Sequence, residues 1–514
     1  MNILFVASEA VPFAKTGGLA DVVSSLAAYL HANGHNVKIV IPYYKAIKDK
    51  TGDGKGKIKV KQVMGSFCVH MGNAQEQWCG LYETKGFGDV PVWFIECDNF
   101  FNRDGIYHDK NYNDFGDNPS RFAFLSNAAL RACIDTGFSP DIIHAHDWQA
   151  APALAYAKTW YWDNPIVGRA ATVLTVHNAQ YQGTYPKENF NYMGFGWQHW
   201  TSDKFEDNGH INMLKAGIYF AEAVNTVSPT HALEISSPHS EFGLAPYFSA
   251  KGKNFCGILN GVDYNEWNPE KDPLIKSKFS SSDISGKKIC KKDLQNRFHL
   301  KEDDNIPIIG IVARMASQKG YDLLAGVLEK ILNDFEVQFA VVGSGDKGLE
   351  GYFGWLPAAY GGKIGSYIGY NEELAHVVEA GSDMFLMPSR FEPCGLNQMY
   401  SLKYGTLPIV RKVGGLADSV DNYNPYTGVG TGFVFEDASP DAIYGTIKWA
   451  IETWYNNKDH FVGMQKRAME VDFSWNVAGK HYMALYNKAI ATREEYNKAF
   501  TLTPKSADTS ETEE

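Results

Sequence analysis

Lys15-Thr16-Gly17-Gly18-Leu19-Ala20-Asp21 lies between an apolar run at 3–7 and a helical pattern of Val22, Val23, Leu26, Ala27 and Leu30 that Gly34 closes. A glycine pair between strand and helix lets backbone N–H groups close on an anion, and a neighbouring lysine adds charge. A flexible surface turn would have the same composition. A second copy, Gly414-Gly415-Leu416-Ala417-Asp418, favours the anion reading. Arg314 and Lys319, five apart, suit a diphosphate clamp, the guanidinium fork bridging oxygens and the ammonium acting as a point charge. Taken alone, they read as two solvated surface cations. Glu392, in a loop with Pro393 and Gly395, would grip sugar hydroxyls or support charge at a reacting carbon. The plain alternative is a first-turn carboxylate favoured by a helix dipole. By itself His177 reads as a satisfied structural histidine, and Asp147 as a helix cap.

Two patterns point elsewhere. Gly343-Ser344-Gly345-Asp346-Lys347-Gly348 matches the dinucleotide fingerprint, but the next strand ends in Gly369-Tyr370-Asn371 where a ribose-binding acid is required. It reads as a tight turn near a nucleotide. His144, His146 and Asp147 have ligand-bearing side chains, yet no Asp-x-Asp occurs in the chain. A departing diphosphate would then be neutralised by cations such as Arg314 and Lys319, not by a metal.

These residues need elements to hold them. Apolar runs at 3–7, 37–41, 92–95, 141–144, 171–176 and 223–227 read as strands of a first half. Runs at 306–313, 339–342, 364–368, 384–387 and 407–410 open a second series. Amphipathic stretches lie between, for example a helix carrying Leu323, Leu324, Val327, Leu328, Ile331 and Leu332. Such alternation predicts parallel sheets covered on both faces, here two doubly wound α/β domains. The boundary falls near Cys256-Gly257-Ile258-Leu259-Asn260-Gly261, giving domains at 1–257 and 258–500 and a disordered tail at 501–514. Ligands bind beyond the carboxyl ends of parallel strands. Ser8, Glu9 and Lys15 follow one strand, and His144, His146 and Asp147 follow another. His177-Asn178, Ser228, Arg314, Gly343-Ser344-Gly345, Tyr370 and the segment from Ser389 to Gly395 follow others. Two such edges turned toward each other would form a deep interdomain cleft.

Composition limits the class. A chain of 514 residues exceeds one core, and 44% hydrophobic with 21% charged residues is ordinary for a globular protein. A net charge of −11 argues against a general nucleic-acid or acidic-membrane surface. The seven cysteines have no CxxC pair and no metal-ligand spacing, which suits a reducing compartment. No secretory pattern opens the sequence and no apolar run reaches the ~20 residues of a membrane span. These features predict a soluble cytoplasmic protein, a processed plastid enzyme being the alternative.

Lys15-Thr16-Gly17-Gly18-Leu19, His144-Ala145-His146-Asp147-Trp148, Thr175-Val176-His177-Asn178 and Asn260-Gly261-Val262-Asp263 together resemble bacterial glycogen synthase and plant starch synthase. So do Arg314 to Lys319, Ser389-Arg390-Phe391-Glu392-Pro393-Cys394-Gly395-Leu396 and Lys403-Tyr404-Gly405-Thr406. The motifs keep the family's order to about residue 420, and a looser resemblance reaches Asp472-Phe473-Ser474-Trp475. The resemblance implies a GT-B fold of two facing Rossmann-like domains, the first on the acceptor side and the second holding the nucleotide sugar. It implies retaining transfer of glucose from ADP-glucose to the non-reducing end of an α-1,4-glucan such as glycogen, starch or a malto-oligosaccharide. No cofactor, metal, nucleic acid or membrane enters that scheme. By the same resemblance Lys15 contacts the donor phosphates, Arg314 and Lys319 bind the diphosphate, and His177 and Glu392 stand beside the transferred glucose. Asp21, Asp147, Asn178 and Asn260 match donor- and acceptor-site polar groups, and Tyr370 the ring that packs on adenine. Gly17, Gly18, Gly343, Cys394 and Gly395 count among the substrate-binding positions. One departure from the wider GT-B pattern stands at Tyr400, where a ribose-binding glutamate would fall. An inactive sugar-nucleotide-binding paralogue, or a GT-B enzyme using UDP-glucose, is the alternative; no motif for a phosphorylase's lysine-bound pyridoxal phosphate occurs.

Overall fold

The computed structural model describes residues 1–51, 58–110 and 113–502. The chain packs as two units. The first comprises Met1–Asn225, Ile235–Cys256 and the chain from Gly479 on; the second comprises Thr226–Glu234 and Gly257–Ala478. The chain passes from the first to the second at Cys256–Gly257, next to the expected 257/258 boundary, but no single cut separates the units. Residues 226–234 join the second unit, and the C-terminal helix Trp475–Leu502 runs from the second into the first. The tail placed at 501–514 lies, from 503 on, outside the described residues.

The first unit is built on β1 (Asn2–Val6), β2 (Asn36–Pro42), β3 (Lys61–Met71), β4 (Gln75–Lys85), β5 (Pro91–Glu96), β6 (Ile142–His146) and β7 (Ala171–Val176). Three short strands, β8 (Thr184–Pro186), β9 (Glu206–Asp207) and β10 (His210–Asn212), form a separate small sheet. Strands β11 (Ala223–Thr226) and β12 (Phe255–Gly257) complete the main sheet, ordered β12-β11-β7-β6-β1-β2-β5-β4-β3. β2, β1, β6 and β7 run parallel, and β5 joins β2 in parallel. Leu4, Phe5, Ile142, Ile143, Val173 and Leu174 are fully buried. Burial of each such side chain is worth about 1.5–3 kcal/mol, so these strands form the fixed frame of the unit. Their polar neighbours are carried on the loops beyond their carboxyl ends.

The second unit has one six-stranded parallel sheet: β13 (Ile308–Val312), β14 (Gln338–Gly343), β15 (Ile364–Ile368), β16 (Met384–Met387), β17 (Leu407–Arg411) and β18 (Phe433–Phe435). The order β15-β14-β13-β16-β17-β18 is the doubly wound order of a Rossmann fold. Strand order reverses between β13 and β16. In the first unit it reverses between β1 and β6. In each unit, considered by itself, the loops leaving the two strands at the reversal diverge, the place where open α/β sheets bind ligands.

Three expectations need correcting. The strand expected at 141–144 runs on to His146, so His144 is a fully buried strand residue and not part of the binding edge. The single helix expected over Leu323 to Leu332 is two, Tyr321–Ala325 and Leu328–Asp334, interrupted at Gly326 and Val327. Val327 leaves helical geometry at φ −133, and a Cβ on Gly326 would touch Pro440 at 3.5 Å. The antiparallel hairpin β3–β4 has no counterpart in the predicted strands. Its strands alternate between exposed and buried positions and are broken by register shifts, so they lack the continuous apolar run that marks the central strands.

Candidate functional site

In the first unit, Glu9 organises the loop after β1. Its carboxylate accepts from the Thr16 N–H, from Thr16 Oγ1 at 2.7 Å and from the Tyr107 hydroxyl. Tyr107 also bonds Ser8 Oγ at 2.7 Å. Thr16 is thereby fixed between Lys15 and Gly17. Lys15 Nζ lies 2.8 Å from Asp21 Oδ1, one turn into the helix Gly18–Ala32, with both side chains partly exposed. Gly17 caps that helix with an extended backbone, and its N–H takes no acceptor among the described residues. A Cβ at Gly17 would meet nothing within 4 Å. Nothing in the protein demands glycine there, so the open space is available to a ligand approaching the backbone.

Beyond β6 and β7, the groups are coupled by their backbones. Asp147 adopts a left-handed φ of 58 and accepts the His177 N–H at 2.6 Å, and the Asn178 N–H also bonds it. Burial raises its carboxyl to about 7 against those two hydrogen bonds. His146 Nδ1 meets His177 Nε2 at 3.0 Å, with the rings stacked at 26°. Burial lowers His177 to about 3 and His146 well below the usual imidazole range, so both are neutral near pH 7. With Nε2 engaged, Nδ1 of His177 has no hydrogen-bond partner among the described residues. Asn178 accepts from Gln180 N–H at 3.0 Å. Asp147 thus positions the His177–Asn178 turn, a task more specific than the cap its sequence suggested. His144 is absorbed by structure: its nitrogens meet Thr175 Oγ1 at 2.7 Å and Tyr486 Oη at 2.9 Å.

In the second unit, the reversal between β13 and β16 brings Lys319 and Glu392 together. Lys319 Nζ donates to Glu392 Oε2 at 2.6 Å, and Ser389 Oγ donates to the same oxygen at 3.0 Å. Glu392 is buried, while Oε1 takes no donor among the described residues. Arg390 ties the two loops together. It grips Asp322 with two bonds of 2.7 Å, donates to Ser317 O at 2.7 Å, and its N–H reaches Gln318 O at 2.8 Å. Arg314 is exposed, and among the described residues no acceptor takes its guanidinium. The N–H groups of Cys394, Gly395 and Leu396 also lack a protein acceptor among the described residues. Gly395 needs its glycine: φ is +71 and a Cβ would lie 2.5 Å from Gln398 Oε1. The Cys394 thiol is buried, pushed up to about 12 by that burial, and bonded by Asn260. These two predicted residues therefore meet each other. Tyr370 is 75% exposed beyond β15.

The Gly343 turn is internal. A Cβ at Gly343 would lie 2.2 Å from Ala313 O. Gly345 N–H goes to Glu350 and Asp346 N–H to Met315 O, each at 2.8 Å. These amides knit the loops after β13 and β14 together, in keeping with a tight turn. The second glycine pair also differs from the first. Gly414 N–H bonds Glu234 Oε1 at 2.9 Å, and Gly415 N–H reaches the Glu392 and Pro393 carbonyls at 3.2 Å. Asp418, the counterpart of Asp21, accepts from Ser228 Oγ and from Thr230 N–H and Oγ1. This copy supports the Glu392 loop from behind and presents no anion cradle.

Residues 2–250 match the family model described as starch synthase catalytic domain, and residues 292–468 that of glycosyl transferases group 1. Glycogen synthase 1 of Geobacter metallireducens is 46% identical over 494 residues, covering 96% of this chain and 97% of that protein. Glycogen synthase of Treponema denticola is 44% identical over 495 residues, covering 95% and 99%. The chain belongs to the glycogen synthase and starch synthase family. Members of this family are glycosyltransferases that build glycogen or starch, and this chain is such an enzyme. Among solved structures, the catalytic domain of starch synthase IV from Arabidopsis thaliana, bound to ADP and acarbose, aligns with a TM-score of 0.85 at 31% identity, covering 95% of this chain and 99% of that one. Sucrose-phosphate synthase from Thermosynechococcus elongatus aligns at 0.59 with 16% identity, covering 95% and 99%, which speaks to fold alone. The fold class is GT-B, as the resemblance implied. No helix among the described residues is long and apolar enough to cross a membrane.

Glu9, Tyr107, Arg390 and Asp418 were not among the predicted site residues. Glu9, Arg390 and Asp418 lie inside the quoted motifs or directly after β1, so a signal existed. Tyr107 comes from a loop about a hundred residues away, and nothing in its surroundings marks it.

Proposed function

We propose that this glycosyltransferase moves α-D-glucose from ADP-glucose to the non-reducing end of an α-1,4-glucan with retention of configuration. The observation that carries the reading is the Lys319–Glu392 pair at the loops where strand order reverses, with Arg314, exposed and without an acceptor among the described residues, on the loop after β13. A leaving diphosphate gathers negative charge as the C1–O bond to its β-phosphate breaks. Fixed cations and backbone N–H groups stabilise that charge without reorganising. Arg314, Lys319 and the N–H groups of 394–396 take this role in the second unit, and Lys15 with the Gly17 N–H forms a phosphate-contacting loop in the first. No divalent ion is needed in this scheme. Glu392 Oε1 receives a glucose hydroxyl, neutral His177 offers Nδ1 to a sugar, and the Tyr370 ring packs on adenine. The acceptor 4-hydroxyl forms the new bond to C1 on the face the diphosphate leaves, and its proton passes to a departing phosphate oxygen. The second unit holds the nucleotide sugar and the first the acceptor. The ADP and acarbose of the Arabidopsis relative support both ligand classes. Seven free cysteines suit a reducing compartment such as the cytoplasm.

The test is donor competition. With glycogen present, ADP release from ADP-glucose should far exceed UDP release from UDP-glucose, and little ADP should appear without glycogen. Equal use of both donors would overturn the donor assignment. Binding without turnover would favour a sensor.

A further inference from the structure

We propose that the second unit carries a divalent-cation site made by His376, Glu266 and Glu372, suited to zinc or a similar transition ion. One ligand atom from each of the three lies within 4.8 Å of the other two. Glu372 and His376 are four apart on the helix Glu372–Gly381 and so share one face. Both glutamates are exposed, and small side-chain rotations would bring their oxygens to the about 2.0–2.2 Å that zinc requires.

His376 supplies the second, independent observation. It is 1% exposed, and Nε2 has no hydrogen-bond partner among the described residues. Nδ1 lies 2.7 Å from Asp272 Oδ2. Asp272 is itself held by the Tyr404 hydroxyl at 2.5 Å and the Leu274 N–H at 2.8 Å. Asp272 Oδ2, which also accepts from the Tyr404 hydroxyl, engages Nδ1 and leaves Nε2 as the outward nitrogen. Nε2 is buried, and the Glu266 and Glu372 carboxylates complete the cluster around this histidine. A carboxylate fixing one imidazole nitrogen so that the other can ligate is the usual outer support of a metal-bound histidine. Trp267 stacks on the His376 ring at 3.8 Å and 12°, and Tyr400 stacks on Trp267 at 4.0 Å and 1°. The ring therefore cannot turn Nε2 elsewhere. This stack also accounts for an aromatic residue at position 400.

The proposal is tested on the full chain by calorimetric titration with Zn²⁺. Cobalt in its place provides a visible spectrum of the ligand set. One equivalent should bind, and the Glu266→Gln/Glu372→Gln double variant should lose affinity on the order of 10-fold or more. The Cys68→Ser variant should keep it, which sets aside Cys68, His70 and Glu76, the other group on the hairpin with suitable spacing. Absence of saturable binding, binding unchanged in the double variant, or binding lost with Cys68 would each overturn the site. So would heat that tracks proton uptake alone, since Nε2 would then be occupied by a proton.

Discussion

His177 and Asp147 have their charges set by packing before any substrate arrives, and in opposite directions. Burial lowers His177 to about 3, so the unfolded chain takes up a proton below 6.5 that the folded chain refuses until about 3. That contribution to stability is present above 6.5 and is lost as pH falls toward 3. Burial raises Asp147 to about 7, so its contribution is present below 3.8 and is lost as pH rises to about 7. Two outcomes follow. The His177 ring resonances should not shift between pH 5 and 8, whereas a midpoint near 6.5 would contradict the packing described. The stability of Asp147→Asn relative to the parent, from urea unfolding, should increase between pH 4 and 7. A flat difference would mean that Asp147 is ionised throughout.

At the scale of the element, the same five residues open two helices and do different work. Gly17 fronts open space, whereas a Cβ at Gly414 would lie 2.0 Å from Glu392 O on a backbone with φ +42. Gly17→Ala should therefore cost less than about 1 kcal/mol in stability. Turnover of the donor should still fall on the order of 10-fold or more, because the methyl occupies the approach to the backbone. Gly414→Ala should cost roughly 2–4 kcal/mol, combining left-handed strain with a backbone clash. Denaturant unfolding beside steady-state rates separates the two. The repeated motif was legible in the sequence, but its division of labour was not. Which amides are spent inside the protein depends on Glu234 and the Glu392 carbonyl, both distant in the chain from Gly414.

Across the whole molecule, the central parallel strands were readable because each is a short, continuous apolar run with both faces covered. The polar residues that end those runs lead to the carboxyl-edge loops, so Arg314, Lys319 and Glu392 could be picked out. Other features lacked a local signal. His144 looks like an edge residue until its strand is seen to continue, and its partner Tyr486 is over three hundred residues away. The half-exposed hairpin β3–β4 and the return of the chain from Gly479 to the first unit depend on tertiary packing that periodicity does not encode. The proposed chemistry of the second unit rests on Arg314, which has no acceptor among the described residues, and on Lys319, paired to the buried Glu392. The most direct measurement is kcat/KM of Arg314→Ala for ADP-glucose with glycogen as acceptor. Arg314 is exposed and bonds nothing among the described residues, so the substitution should leave the fold intact. A loss on the order of 10²-fold or more is predicted, the usual consequence of removing one preorganised charge stabiliser. An unchanged kcat/KM would contradict the account.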